Sequence, residues 1–145
     1  MKKILLAIIA VFCAVSTWAK APDGWLTDYD QALKEAQKSH KYVFVLFTGS
    51  DWCPYCVRLR KDVLETERFK KFAAEKLITV YCDYPRNDPP SRRQLAKQQQ
   101  WQKELKAGRG VPSVVVVNSK GKVVTRISGY APANVYMSKL EKELK

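Results

Sequence analysis

The sequence predicts an α/β domain in which a central mixed β-sheet is flanked by helices. Three observations carry that prediction. Apolar, largely β-branched runs of strand length at 43–47, 77–82 and 114–117 alternate with segments of helical period. The first two runs are separated by a helix, which suits a parallel β-α-β unit. The third is followed by Asn118-Ser119-Lys120-Gly121-Lys122, a hairpin turn into Val123–Ser128, so the second half is antiparallel. A chain of 145 residues with no internal repeat and no linker is one domain's worth.

The chain opens with Lys2 and Lys3, an apolar run from Ile4 to Val15, and Ser16-Thr17-Trp18-Ala19. The run is shorter than the ~20 residues of a bilayer span, and the order of charge, apolar stretch and small residues reads as a cleaved secretory signal over residues 1–19. Cleavage is expected after Ala19; a cut after Ala21 is the rival, and an uncleaved anchor the alternative. Removal of 1–19 discards Cys13 and leaves Cys53, Cys56 and Cys82. An exported compartment permits disulfides, but one pair and one odd thiol suit a redox protein better than a disulfide scaffold. It also lowers the net charge of +12 by two, leaving a basic protein suited to acidic partners or surfaces. The cations are scattered among acids without interleaved aromatics, which argues against dedicated nucleic-acid binding.

The elements follow in order. Thr27 is the expected N-cap, with Leu26 as staple, of an amphipathic helix over 28–39 marked by Tyr29, Ala32, Leu33 and Ala36. His40, the only histidine, sits at its end as a capping or solvated residue. The strand 43–47 stops at Thr48-Gly49-Ser50-Asp51, and a helix with apolar Cys56, Leu59 and Val63 follows. Thr66 restarts or kinks it, with Phe69, Phe72 and Ala73 as a second stripe. After the strand 77–82 and a polar loop, Ser91 and Gln94 form a capping box for a helix to about Lys106. Its thin apolar face (Leu95, Trp101, Leu105) predicts a peripheral position, with Gln98-Gln99-Gln100 solvated. Gly129 ends the hairpin, and Pro132 opens a last helix buried through Tyr136, Met137, Leu140 and Leu144.

The chemistry lies at the joint between the first strand and its helix, Trp52-Cys53-Pro54-Tyr55-Cys56. The spacing puts Cys53 at a helix N-terminus and Cys56 one turn further in, close enough to bridge. Free amides and the positive end of the helix dipole favour thiolate at Cys53, the reactive form in disulfide exchange. Pro54 fits the first turn, where no N–H is needed.

With these elements in this order, and with Gly110-Val111-Pro112-Ser113 before the hairpin, the chain from about residue 25 to 144 resembles the thioredoxin family. Its Phe-Thr-Gly-Ser-Asp-Trp-Cys lead-in is most similar to the exported bacterial members. The resemblance implies a thioredoxin-like sandwich over residues 20–145, a protein-disulfide oxidoreductase that needs no cofactor, and a cis Val111–Pro112 bond packed on a redox-active Cys53–Cys56 disulfide. It implies that Cys53 is an exposed nucleophile and Cys56 the resolving thiol. Trp52, Pro54, Tyr55, Val111 and Pro112 would contact substrate, an extended segment pairing with the Val111 backbone. A trans turn proline at 112 is the alternative. The Pro54-Tyr55 dipeptide resembles that of glutaredoxins, and Val45, Leu46 and Phe47 stand where thioredoxins carry a buried acid, so no proton acceptor for Cys56 is visible.

The function expected is thus an extracytoplasmic, periplasmic thiol–disulfide oxidoreductase of the reductase or isomerase type. Its partners would be cysteine-containing exported proteins and a redox partner, a membrane electron carrier or another disulfide enzyme. The alternatives are a disulfide-donating oxidase of the same fold and a non-catalytic binding module. A metal site of Cys53, Cys56, Cys82 and His40 lacks a second paired spacing, and no metal is expected. Cys82 reads as a small buried hydrophobe, with a resolving or regulatory thiol as its alternative.

Overall fold

A computed structural model describes residues 20–145; the signal-peptide reading falls on 1–19 and lies outside the described residues. The elements are α1 (Tyr29–Ser39), β1 (Tyr42–Thr48), α2 (Pro54–Leu59), α3 (Glu67–Lys76), β2 (Leu77–Asp83), α4 (Arg92–Glu104), β3 (Ser113–Val117), β4 (Val123–Ser128) and α5 (Ala133–Glu143). The sheet order is β2-β1-β3-β4, with β1 parallel to β2 and antiparallel to β3, and β3 antiparallel to β4. That is the mixed sheet the sequence predicts.

β1 is the centre of the molecule because both of its faces are apolar. Phe44 and Leu46 point to one side, where they meet Leu59, Val63, Phe69 and α5's Tyr136, Met137 and Leu140. Val43, Val45 and Phe47 point to the other, against Tyr29, Ala32, Ala36, Val80, Cys82, Trp101 and Val115. Period-two alternation between two covered faces is what turns an unbroken apolar run into a central strand.

Several local details differ from the sequence reading. The N-cap of α1 is Asp28, not Thr27: its carboxylate accepts from the Gln31 amide at 3.0 Å, while the Thr27 carbonyl is taken by the Gln94 side chain at 2.8 Å. A carboxylate there also suits the positive helix end. Ser91 does cap α4, but Gln94 is turned to Thr27 instead of closing a capping box. α4 is not peripheral, since Trp101 and Leu105 are buried in the second core cluster. Gln98, expected in solvent, is 2 % exposed and donates to the Asp83 carbonyl at 2.8 Å. Between α2 and α3 the chain widens into one π-turn over Arg60–Leu64, closed by Glu65 N–H to the Arg60 carbonyl at 2.9 Å. Thr66 then caps α3, accepting from the Phe69 amide at 3.3 Å. His40 ends α1 in the left-handed region with φ 56°.

Candidate active site

The end of β1 and the start of β3 meet because the two strands are antiparallel neighbours, Phe47 lying opposite Ser113. The loop after β1 delivers the two cysteines, and the loop before β3 delivers Val111 and Pro112, whose peptide bond is cis. The Cys53 thiol donates to the Val111 carbonyl at 3.7 Å. The loop is steadied from behind by the Gly129 amide, which donates to the Pro112 carbonyl at 2.8 Å, and by Ser113 Oγ donating to the Ala107 carbonyl at 2.6 Å.

Cys53 is the N-cap of α2 and Pro54 its first residue. The Cys56 amide donates to Cys53 Sγ at 3.2 Å, so a backbone dipole is aimed at that sulfur and favours negative charge on it. Both cysteines are thiols in this structure. Cys53 is 6 % exposed, which corrects the expectation of an open nucleophile: its sulfur is set back between the helix end and the Val111 carbonyl. Cys56 is 4 % exposed and accepts from the Gly49 amide at 3.4 Å. Burial, reinforced by the neighbouring Cys53 thiol, pushes the Cys56 thiol up to about 11; the Gly49 amide opposes this without cancelling it. Both sulfurs are buried and differ in their partners, Cys53 facing the Val111 carbonyl of the cis-proline loop and Cys56 the Gly49 amide.

Trp52 and Tyr55 flank the sulfurs on the surface, 38 % and 59 % exposed. Trp52 is held by its indole N–H, which donates to the Tyr84 carbonyl at 2.7 Å. Tyr55 lies 6.5 Å from Tyr130, a residue of the turn after β4 that sequence reasoning missed. Tyr130 donates to Asp62 at 2.7 Å, and the Asp62 carboxylate holds the phenol proton on, above its ordinary range.

Asp83, at the end of β2, also went unread. Its carboxylate accepts from the Ser50 amide at 2.9 Å and from the Ser50 hydroxyl, fixing the loop that carries Gly49. Burial raises its pKa against these hydrogen bonds. Asp51 performs a parallel task, its two oxygens accepting from the Arg86 and Asn87 amides at 2.9 and 2.8 Å. The signal available in the sequence was an acid closing an apolar strand; its partner, 33 residues away, has no local signature.

Cys82 is fully buried on the opposite face of the sheet from Leu46 and Leu59, and burial drives its thiol far above the usual range. His40 sits at the far end of β1 from the cysteine pair. Among the described residues no group of three or more His, Cys, Asp or Glu is placed to hold a metal ion.

Residues 29–144 match the thioredoxin-like domain family. The chain is 33% identical over 119 residues to the disulfide bond reductase DsbH of Chlamydia pneumoniae, covering 81% of this chain and 70% of that protein. Among solved structures, the DsbH oxidoreductase superposes with a TM-score of 0.73 at 28% identity, covering 86% of this chain and 90% of that one. A disulphide isomerase from Xylella fastidiosa Temecula1 superposes with a TM-score of 0.55 at 29% identity, covering 83% of this chain and 86% of the other. The strand–Cys-x-x-Cys–helix joint, the cis-proline loop facing it and these likenesses agree: the chain belongs to the thioredoxin family of thiol–disulfide oxidoreductases.

Proposed function

We propose that the protein is an exported, periplasmic disulfide reductase acting on cysteines of exported proteins. The observation that carries the reading is the unequal setting of the two thiols, Cys53 against the Val111 carbonyl and Cys56 buried behind it with a pKa of about 11. Likeness to a disulfide bond reductase supports the direction of electron flow, and the charged, then apolar, start of the sequence supports export.

The Cys53 thiolate attacks one sulfur of a client disulfide, forming a Cys53–client mixed disulfide and releasing the other client sulfur as thiolate. Cys56 then gives its proton to the released client thiolate and attacks the Cys53 sulfur. The Cys53–Cys56 disulfide forms, the second client thiolate leaves, and two electrons have passed to the client. An upstream dithiol electron carrier restores the reduced pair. Trp52, Pro54, Tyr55, Val111 and Pro112 form the contact surface for the client segment, which lies along the Val111 backbone.

The test is the equilibrium potential of the pair in glutathione buffers, together with insulin reduction. A potential near thioredoxin's, about −270 mV, with activity abolished in Cys53→Ser and a trapped mixed disulfide in Cys56→Ser, is the expected result. A potential near that of the strong oxidants, about −120 mV, would make the protein a disulfide donor instead.

A further inference from the structure

Two arginines of this basic chain stand on aromatic rings beside the cysteine pair. On one side the Arg86 guanidinium lies over the Trp52 ring, 5.0 Å from its centroid. On the other, Arg58 lies over the Tyr130 ring at 4.6 Å, beside Tyr55. Past the cis-proline loop, Lys103, Lys106 and Arg109 line an open groove, and Arg109 is two residues from Val111.

The guanidinium groups of these two arginines are not tightly engaged by neighbouring carboxylates. Arg86 takes part in none of the ion pairs among the described residues, and Arg58 reaches Asp62 only at 4.0 Å, with the same carboxylate oxygen accepting from Tyr130. Asp51 is turned to two backbone amides. The two guanidiniums are also positioned. Arg86 belongs to the loop tied to Trp52 and Asp51 by three hydrogen bonds, and Tyr130 follows Gly129, which is bonded to the cis-proline loop. An arginine stacked on an aromatic ring keeps its N–H edge free for a carboxylate.

From this charge complementarity we propose that the preferred clients present their disulfide within an acidic segment, with Asp or Glu on both sides of the attacked cysteine. Carboxylates on one side meet Arg58 and on the other Arg86, while the segment pairs with Val111 and runs on towards Arg109. The proposal rests on the oxidoreductase reading above and names its substrate class.

The experiment measures exchange between the reduced protein and three disulfide peptides of one backbone, flanked by Glu, Gln or Lys. At low salt the Glu peptide is expected to react about tenfold faster than the Lys peptide, and the gap to close in 0.5 M NaCl. An Arg58→Gln/Arg86→Gln variant should lose most of the Glu-to-Lys ratio. A Lys34→Gln/Lys38→Gln variant, equal in net charge but altered on α1, should retain it. Comparing ratios between variants cancels the intrinsic effect of flanking charge on the peptide thiol. Equal rates for the three peptides, or an unchanged ratio in the arginine variant, would overturn the charge preference alone. No exchange with any peptide would overturn the oxidoreductase reading as well.

Discussion

Gly49 touches both halves of the redox site at once: its amide donates to Cys56 Sγ at 3.4 Å, and the position a Cβ would occupy lies 2.4 Å from the Trp52 ring. The glycine is therefore required by close approach. It lets the indole fold back over the loop while the loop backbone reaches the buried sulfur.

Gly49→Ala should drive the Trp52 ring out of its seat and break its bond to the Tyr84 carbonyl. Overpacking of this kind costs about 1–3 kcal/mol, readable as a lower urea midpoint. A Trp52→Ala background, which removes the clash, should recover most of the loss. An unchanged midpoint in the single variant would contradict the geometry.

The pH dependence of Cys56 follows from its burial. In Cys53→Ser, alkylation of Cys56 by iodoacetamide should rise with a midpoint closer to 11 than to the ordinary value of 9.0, burial being the larger cause of the shift. The sign for stability is that of a group whose folded pKa is raised. Its contribution is whole below about 9 and is lost as the pH climbs through about 11. A labelling midpoint near 9 would place the sulfur in solvent.

Gln98 carries a prediction about the loop behind the site. Its side chain satisfies the carbonyl of Asp83, whose own carboxylate holds Ser50. Gln98→Leu strands a buried carbonyl and should cost about 1–3 kcal/mol, with the denaturant slope unchanged. Neighbouring Gln99→Leu, on the exposed side of α4, should cost little, so a similar loss in both would refute the assignment.

Tyr136 offers the opposite case. It is 1 % exposed and its hydroxyl has no hydrogen-bond partner among the described residues. Tyr136→Phe removes a buried polar group while keeping the ring, so thermal stability should stay level or rise. A fall of several degrees in Tm would show that the hydroxyl is bonded in solution.

What could be read from the sequence was whatever is written locally. The Trp52–Cys56 joint, the alternation through β1 and the Val111-Pro112 step each lie within a few residues, and they locate the fold and the cysteine pair. The arrangement around the pair is made of distant partners. Ser50 and Asp83, Tyr55 and Tyr130, and Trp52 and Arg86 are brought together only when β1, β2 and β4 are in register. Nothing in a Gln-Gln-Gln run marks Gln98 as the buried member, because that depends on where α4 crosses the sheet. The cap of α1 moved from Thr27 to Asp28 for the same reason, since the Thr27 carbonyl was claimed by Gln94 of a helix 67 residues later. The seclusion of Cys53 likewise comes from Val111, 58 residues away.

The antiparallel pairing of β1 with β3 has a consequence for how such a chain can diversify. The Cys53 thiol follows one strand and the Val111 carbonyl precedes its neighbour, so their separation is set by one ladder with Phe47 opposite Ser113. The excursion between Tyr84 and Gly110, α4 included, is not part of that ladder. Within that excursion α4 is held by Gln98, Trp101 and Leu105, so insertions should be tolerated in the exposed loop at Asp88 and Pro89 rather than in the helix. A single-residue insertion within 114–117 would shift β3 by one position along β1 and part the sulfur from the carbonyl, although valines would still fill both faces. The scaffold thus separates an exposed loop that can change length from a pair of strands whose register holds the Cys53 thiol against the Val111 carbonyl.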